Sequence, residues 1–331
     1  MSDAMGGLLT RETRKRVLIA LLVVLTILFV ALAVVTSTGQ LPSVDVQLSW
    51  PWLALSLVLL LAFQPLVAEV WRRIMHEAGG ELPVPQAQAI YNVSLLTRYV
   101  PTQVLMAVTR IELAQREGVP RTVTVAGFAY EFALSVGSAC ALSVSFVISL
   151  DSLQGKPERF LVLLVPIALL MILHPRVIDL LETKLAARFG VTSAHVTIPL
   201  KRLVVYVFVY LLIWMEAGIG VYCLARGIHP VGGLGFTAIC AYAIGYAAAA
   251  IAFVIPAGLG ARDVATATAL ATAMPFSVAL TTAIAVRLAQ TGIEIFYAAT
   301  TAVWSRRAGG LRPVAQPPPE PEPPSQAAES A

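Results

Sequence analysis

The sequence predicts an all-α, multi-pass membrane protein with six spanning helices and two re-entrant helical hairpins arranged as an inverted repeat. Three observations support this fold class. Hydrophobic residues fill 58% of the 331 positions and charged residues only 13%, which is more apolar surface than a soluble core can bury. Apolar runs long enough to cross a bilayer recur along the chain. Two further segments are interrupted by proline and glycine at corresponding places in the two halves, a pattern typical of transporters.

A helix needs about 20 mostly apolar residues to cross the hydrocarbon core. Six segments are predicted to do so: Val17–Val35, Pro51–Trp71, Thr122–Leu150, Phe160–Leu173, Arg202–Ala225 and Ser277–Trp304. The fourth segment is short, but arginines on both flanks favour a crossing. The first follows four basic residues and could be a secretory signal, although its length and the spans that follow favour an uncleaved helix.

Basic residues orient these spans, because positively charged loops stay in the cytoplasm. Four of them precede the first span, and the loop at 36–49 contains no Lys or Arg, so the N-terminus is expected inside. Arg306, Arg307 and Arg312 place the C-terminus inside as well. We therefore expect a cytoplasmic N-terminal segment (1–16), a membrane domain (17–307), a disordered proline-rich cytoplasmic tail (308–331) and residence in the bacterial cytoplasmic membrane.

Two segments are predicted to leave and return on the same side: basic residues flank the first on both sides, and the second must return outside for the last helix to end inside. Ala87 to Val108 is predicted as a hairpin that enters from the inside, and Leu234 to Met274 as one that enters from the outside. Freed backbone groups at such tips are tolerated where they face protein or water. The expected helix breaks are Pro101, Pro256, Gly258 and Gly260. With these hairpins the halves at about 17–150 and 160–307 each cross three times, so the second is inverted relative to the first.

Charged side chains occur where a membrane would penalise them by about 2.5–3.5 kcal/mol each. Those that lie deep, or beside a helix break, are the candidate substrate-binding residues Arg98, Glu131, Arg262, Asp263 and Arg287. Glu131 follows Pro101 by 30 positions and Arg287 follows Pro256 by 31, which places the two charges at nearly equivalent sites of the two halves. Arginines together with helix N-termini favour a phosphate, which Arg98 and Arg287 would bind. Glu131 and Asp263 would pair with these arginines in the empty site or take part in proton coupling.

A purely structural role is the alternative for each of these charges, since ion pairs also hold membrane helices together and arginines near helix ends extend to the interface. That interpretation is favoured for the residues near the cytoplasmic boundary: Glu69, Arg72, Arg73 and Arg110. For the mid-span Glu216 both interpretations stay open.

Motifs of the major enzyme classes are absent from the sequence. The segment HEAGG at His76 lacks the second histidine of a zinc peptidase, and the four histidines are scattered. No nucleotide-binding loop or nucleophile elbow occurs, and Cys140, Cys223 and Cys240 lie within apolar runs. We expect no catalytic residue, cofactor, metal or nucleic-acid partner.

Three short motifs resemble those of a flippase-like membrane family related to the lipid-translocating transmembrane domain of lysylphosphatidylglycerol synthetase. RYVPTQV resembles the family's R-Y-x-P-G segment, IPAGLGARD its P-x-G-x-G-x-R-E segment, and AVRLAQ, with Arg287, its last-helix arginine. The resemblance covers about Arg14 to Arg307. It implies movement of an amphipathic lipid between leaflets, with the headgroup enclosed by two re-entrant helices, and it points to Arg98, Glu131, Arg262, Asp263 and Arg287.

The chain departs from the family pattern at three places. Thr102 stands where the family usually has glycine, and Asp263 replaces glutamate. The cytosolic aminoacyl-transferase domain is missing from the sequence, so we do not expect the chain to synthesise a lysyl-lipid.

The function predicted from these features is a flippase or scramblase for an anionic, phosphate-bearing lipid or lipid-linked headgroup. Two alternatives stay open. The same cavity could carry a small soluble anion as a secondary transporter. The protein could instead be a non-catalytic scaffold for an envelope-lipid synthase, bound through the proline-rich tail.

Overall fold

The computed structural model describes residues 47–99, 104–149, 198–230, 235–251 and 260–309, with isolated positions between 157 and 187. Over these residues the chain forms α-helices and no β-strand. The helices are α1 Trp50–Glu77, α2 Val84–Leu96, α3 Val104–Arg116, α4 Arg121–Ser149, α5 Leu200–Ile228, α6 Phe236–Ile251, α7 Ala261–Leu270 and α8 Phe276–Arg307. A short 3₁₀ turn, Thr97–Tyr99, follows α2.

Four helices, α1, α4, α5 and α8, are long and apolar enough to cross a membrane. They coincide with four of the predicted spans, which confirms the all-α, multi-pass prediction for the part of the chain that is described. Large apolar side chains stay exposed on the outer faces of α1 and α5, as lipid contact requires, among them Leu55, Leu57, Val58, Val204, Phe208 and Leu212. The predicted spans Val17–Val35 and Phe160–Leu173 lie outside the described residues, as do the N-terminal segment 1–16 and the tail from position 310.

Proline interrupts the hydrogen-bond ladder of α1 without ending the helix. Pro65 has no N–H to give to the Leu61 carbonyl, one turn earlier. The Tyr297 hydroxyl of α8 donates to that carbonyl instead, at 3.0 Å. In a membrane such a freed group needs a protein partner, so the proline also fixes where α8 packs on α1.

Two pairs of shorter helices occupy the positions of the predicted hairpins. α2 and α3 pack against each other in the first half, and α6 and α7 in the second. The predicted breaks Pro101, Pro256 and Gly258 lie outside the described residues. Gly260 is described: its φ of +81° is a left-handed conformation that favours glycine, and it caps the start of α7. α8 packs against both pairs, through α2 and through α7.

Helices α5 and α6 approach each other at backbone distance. A Cβ atom added to Gly218 of α5 would lie 1.6 Å from the Ile239 carbonyl oxygen of α6. Only glycine fits such a crossing, and small residues allow this kind of close approach between membrane helices.

We expect Gly218→Ala to separate these two helices, because backbone rather than a flexible side chain stands in the way. Overpacking of this kind destabilises proteins by roughly 1–3 kcal/mol, and thermal unfolding of the purified protein in detergent measures it. Gly292→Ala in α8 is the matched control, since no atom of the described residues lies within 4 Å of the added Cβ. Equal unfolding temperatures for the two variants would contradict the close contact.

Candidate functional site

The 3₁₀ turn at Thr97–Tyr99 places two polar side chains against helix α8. Arg98 forms an ion pair with Glu294 through Nη2 and Oε1. The Tyr99 hydroxyl donates to the other Glu294 oxygen at 2.9 Å and lies 3.2 Å from the Thr291 hydroxyl. Glu294 is only 1% exposed, so its carboxylate is satisfied by protein groups in surroundings where an unpaired charge would be costly.

A second buried ion pair joins α3 to α4. Arg110 donates from Nη1 to Glu131 Oε2 at 2.6 Å and from Nε to the Ser94 hydroxyl at 3.0 Å. The Tyr91 hydroxyl donates to the remaining Glu131 oxygen at 3.2 Å. The Arg110 guanidinium also lies 4.3 Å from the centre of the Tyr91 ring, a cation–π distance. This network holds α2, α3 and α4 together.

Arg262, in the first turn of α7, has different partners. Its Nη2 donates to the side-chain oxygen of Gln290 in α8 at 2.7 Å, and its guanidinium lies 4.7 Å from the centre of the Tyr242 ring. Arg262 is 6% exposed. Among the described residues no carboxylate pairs with it, so a buried positive charge is held by a neutral amide and an aromatic face.

Asp263, the next residue, has its carboxylate turned towards the start of its own helix. The Gly260 N–H donates to Asp263 Oδ2 at 3.3 Å, which forms part of a capping box. An acidic group at a helix N-terminus stabilises the helix through the macrodipole. The contact places Asp263 as a cap for α7 rather than as the partner of an arginine.

Arg287 lies buried in α8, at 5% exposure. Its guanidinium is 5.9 Å from the centre of the Tyr99 ring, and Arg98, Arg262 and Asp263 are near enough to act on it electrostatically. Three arginines from three elements therefore occupy one region, which raises the positive potential there.

A cavity of about 140 Å³ lies between the two helix pairs. Aromatic side chains form much of its wall: Phe63, Tyr91, Phe132, Trp214, Tyr242 and Tyr246. Its polar lining consists of Gln64, Arg98, Arg110, Glu131, Ser135, Arg262 and Gln290. Apolar walls with a few convergent polar groups are typical of small-ligand sites.

The electrostatics of this cavity favour an anion. Arg98 and Arg110 each have a carboxylate partner, whereas Arg262 has an amide. A phosphate or carboxylate could accept charge-assisted hydrogen bonds from Arg262 in fork geometry. The described residues contain no group of three or more His, Cys, Asp or Glu that could hold a metal ion.

The structure brings together three of the five predicted site residues, Arg98, Glu131 and Arg262, which line the cavity. Arg287 and Asp263 are close to it but are not among the lining residues. The observed ion pairs also differ from the expected pairing of Glu131 and Asp263 with Arg98 and Arg287. Arg98 pairs with Glu294, and Glu131 pairs with Arg110, an arginine that its sequence position had assigned to the cytoplasmic boundary.

Four residues that make these contacts were not among the predicted site residues: Tyr99, Arg110, Gln290 and Glu294. Glu294 lies seven residues after Arg287, on nearly the same face of α8, and that spacing could have indicated it. Nothing comparable marks Gln290 or Arg110, because a neutral amide in a helix, or an arginine near a helix end, is usually unremarkable.

Comparison with known proteins adds one match. The family model described as "Lysylphosphatidylglycerol synthase TM region" matches residues 17–296, most of the chain and the whole of the cavity. No curated protein matches the sequence significantly. The match and the four long apolar helices together identify a multi-pass membrane protein.

Proposed function

The chain belongs to the family of lysylphosphatidylglycerol synthase TM regions, and from this premise we propose that it moves a phosphate-bearing lipid, or a lipid-linked headgroup, between the leaflets of the cytoplasmic membrane. The observation that carries the proposal is Arg262, a buried guanidinium that faces the cavity without a carboxylate partner among the described residues. A buried charge of this kind requires compensation, and a phosphate headgroup supplies it.

The proposed architecture has six spanning helices, with α2–α3 and α6–α7 as re-entrant hairpins in two inverted halves. Three features support it. Each pair consists of helices too short to cross a bilayer twice, basic residues lie on both flanks of α2–α3, and Arg110 of the first pair and Arg262 of the second line one cavity. Both termini would then lie in the cytoplasm of a bacterial cell.

In this mechanism the phosphate binds to Arg262 and Arg98 while the tails stay in the bilayer. Arg98 exchanges the Glu294 carboxylate for the phosphate, so the arginine stays compensated, and Glu294 keeps the hydrogen bond from the Tyr99 hydroxyl. Arg110 and Glu131 stay paired and hold the wall formed by α2, α3 and α4. Arg287 adds positive potential behind the site. No covalent bond is made or broken, so we propose a transporter rather than an enzyme. A membrane-bound lipid synthase could supply this transporter with substrate.

Reconstitution into proteoliposomes tests the proposal. We expect the protein to accelerate movement of a fluorescent anionic phospholipid between leaflets, relative to protein-free liposomes, and to act less on an analogue without the phosphate charge. Release of trapped inorganic phosphate from the same vesicles distinguishes a carrier of soluble anions. Phosphate release without lipid movement would replace the lipid transporter with the anion carrier, and the absence of both would remove the transport function.

A further inference from the structure

A groove separate from the cavity runs along the seam between α1 and α5. It has a volume of about 710 Å³, and the described residues that line it all belong to these two helices. At one end lie Arg73 and Arg202, whose side chains are 65% and 63% exposed, so this end opens to the surroundings. At the other end lies Glu216, 14 positions after Arg202, or about 21 Å along the helix.

Every other carboxylate of the groove has an arginine partner. Glu69 binds Arg72 at 2.7 Å and Arg73 at 2.9 Å, and Glu77 lies 3.5 Å from Arg202. These pairs neutralise the open end of the groove, so the end at Arg73 and Arg202 has little net charge to attract an anion.

Glu216 differs from these acids because both of its carboxylate oxygens are buried and neither has a hydrogen-bond partner among the residues that the structure describes. Its place near the middle of α5 puts it at mid-membrane depth. No charged side chain in the described part of the chain is close enough to act on it.

The charged groups nearer the middle of the surrounding helices have other partners or positions, and the rest lie in the first or last turn of their helices: Arg121, Lys201, Arg226, Arg306 and Arg307. On α1, Glu69, Arg72 and Arg73 form one cluster, Glu77 pairs with Arg202, and His76 lies in the last turn. On α4 and α8, Glu131 and Glu294 pair with Arg110 and Arg98, and Arg287 lies beside the cavity. Helix α6 carries no charged residue. The predicted spans Val17–Val35 and Phe160–Leu173 contain no charged residue either.

We propose that Glu216 is a proton-binding site, loaded and unloaded through the α1–α5 groove. A carboxylate without a countercharge or a hydrogen bond is strongly disfavoured in apolar surroundings, and a bound proton removes that charge. The groove supplies the route, since its open end reaches exposed polar groups and its volume is large enough for water. The site would exist whether or not the protein moves lipid.

Proton exchange at Glu216 would change the charge of a seam that also adjoins the cavity. α1 contributes Phe63, Gln64 and Val67 to the cavity wall, and α5 contributes Trp214, two residues from Glu216. Both walls of the groove are therefore walls of the cavity, and the packing of α1 on α5 is the physical link between a proton and the anion site.

Infrared difference spectroscopy of the purified protein in lipid nanodiscs tests this directly. Spectra recorded between about pH 5 and about pH 9 should show the carbonyl-stretch band of a protonated carboxyl that titrates with pH and is absent from Glu216→Gln. Glu216→Asp keeps a carboxyl at this position and should keep the band at a shifted frequency. Glu112→Gln, which removes an exposed carboxyl from α3, is the control and should leave the band in place.

Two results would overturn the proposal. Identical pH-difference spectra for the wild type and Glu216→Gln would mean that Glu216 does not titrate in this range. A Glu216 band of constant size across the range would mean that it holds its proton permanently. A titrating Glu216 in a protein that moves no lipid would support the proton site and reject lipid transport, so the two proposals fail separately.

Discussion

Arg262→Ala is expected to lower the rate of lipid translocation roughly 10- to 100-fold. The substitution removes the one cavity arginine whose partner among the described residues is an amide rather than a carboxylate. A hydrogen bond to a charged group contributes about 1.5–3 kcal/mol, and 1.4 kcal/mol corresponds to a factor of ten. The measurement is the initial rate of translocation of a fluorescent anionic lipid in proteoliposomes, at equal protein content.

Two further variants show whether a lower rate reflects the loss of the guanidinium fork at this position. Arg262→Lys keeps the charge but loses the planar fork, so its rate should lie between those of the wild type and Arg262→Ala. Arg116→Ala removes an exposed arginine from the end of α3 and should have no effect on the rate of lipid translocation.

Arg98→Ala and Arg287→Ala are expected to slow transport as well, because both guanidinium groups lie within the same positive region. If Arg262→Ala moves lipid at the wild-type rate, or if Arg98→Ala and Arg287→Ala each do so, the phosphate binds elsewhere.

Glu131→Ala is expected to destabilise the folded protein by about 3–5 kcal/mol, because it leaves Arg110 charged and nearly fully buried without its partner. The loss should appear as a lower unfolding temperature in detergent and as reduced yield of folded protein. Glu131→Gln keeps an acceptor for Arg110 and for the Tyr91 hydroxyl, so its unfolding temperature should fall less than that of Glu131→Ala.

Glu69→Ala is the matched comparison for this buried pair. Glu69 also accepts hydrogen bonds from arginines, but its side chain is 27% exposed and Arg73 is 65% exposed. Exposed ion pairs contribute between 0 and about 1 kcal/mol. If Glu69→Ala and Glu131→Ala lower the unfolding temperature equally, the pair between α3 and α4 does not have the stabilising role that its burial indicates.

The positions of the helices were predictable from the sequence, because hydropathy records contact with lipid directly. The segments Pro51–Trp71, Thr122–Leu150, Arg202–Ala225 and Ser277–Trp304 differ from α1, α4, α5 and α8 mainly at the ends. The two interrupted segments overlap α2–α3 and α6–α7, and of their predicted breaks the described Gly260 precedes α7.

The pairing of charges could not be predicted in the same way. Helical periodicity shows which residues of one helix share a face, but not which other helix that face meets. Arg110 therefore looked like a boundary arginine, although the packing of α3 against α4 buries it on Glu131. Arg98 lies in a turn, where periodicity gives no direction, and only the position of α8 selects Glu294 as its partner.

The contact between Gly218 of α5 and Ile239 of α6 fixes the relative position of two helices that line the cavity. Two helices that touch through their main chains cannot slide without a collision, so α5 and α6 carry Trp214, Tyr242 and Tyr246 as a single rigid panel. Arg98, another lining residue, is held by its ion pair with Glu294, a side-chain contact that the phosphate of the proposed function would replace. We therefore expect the entrance for cargo to open at the 3₁₀ turn, and the aromatic panel to keep its shape as it does so.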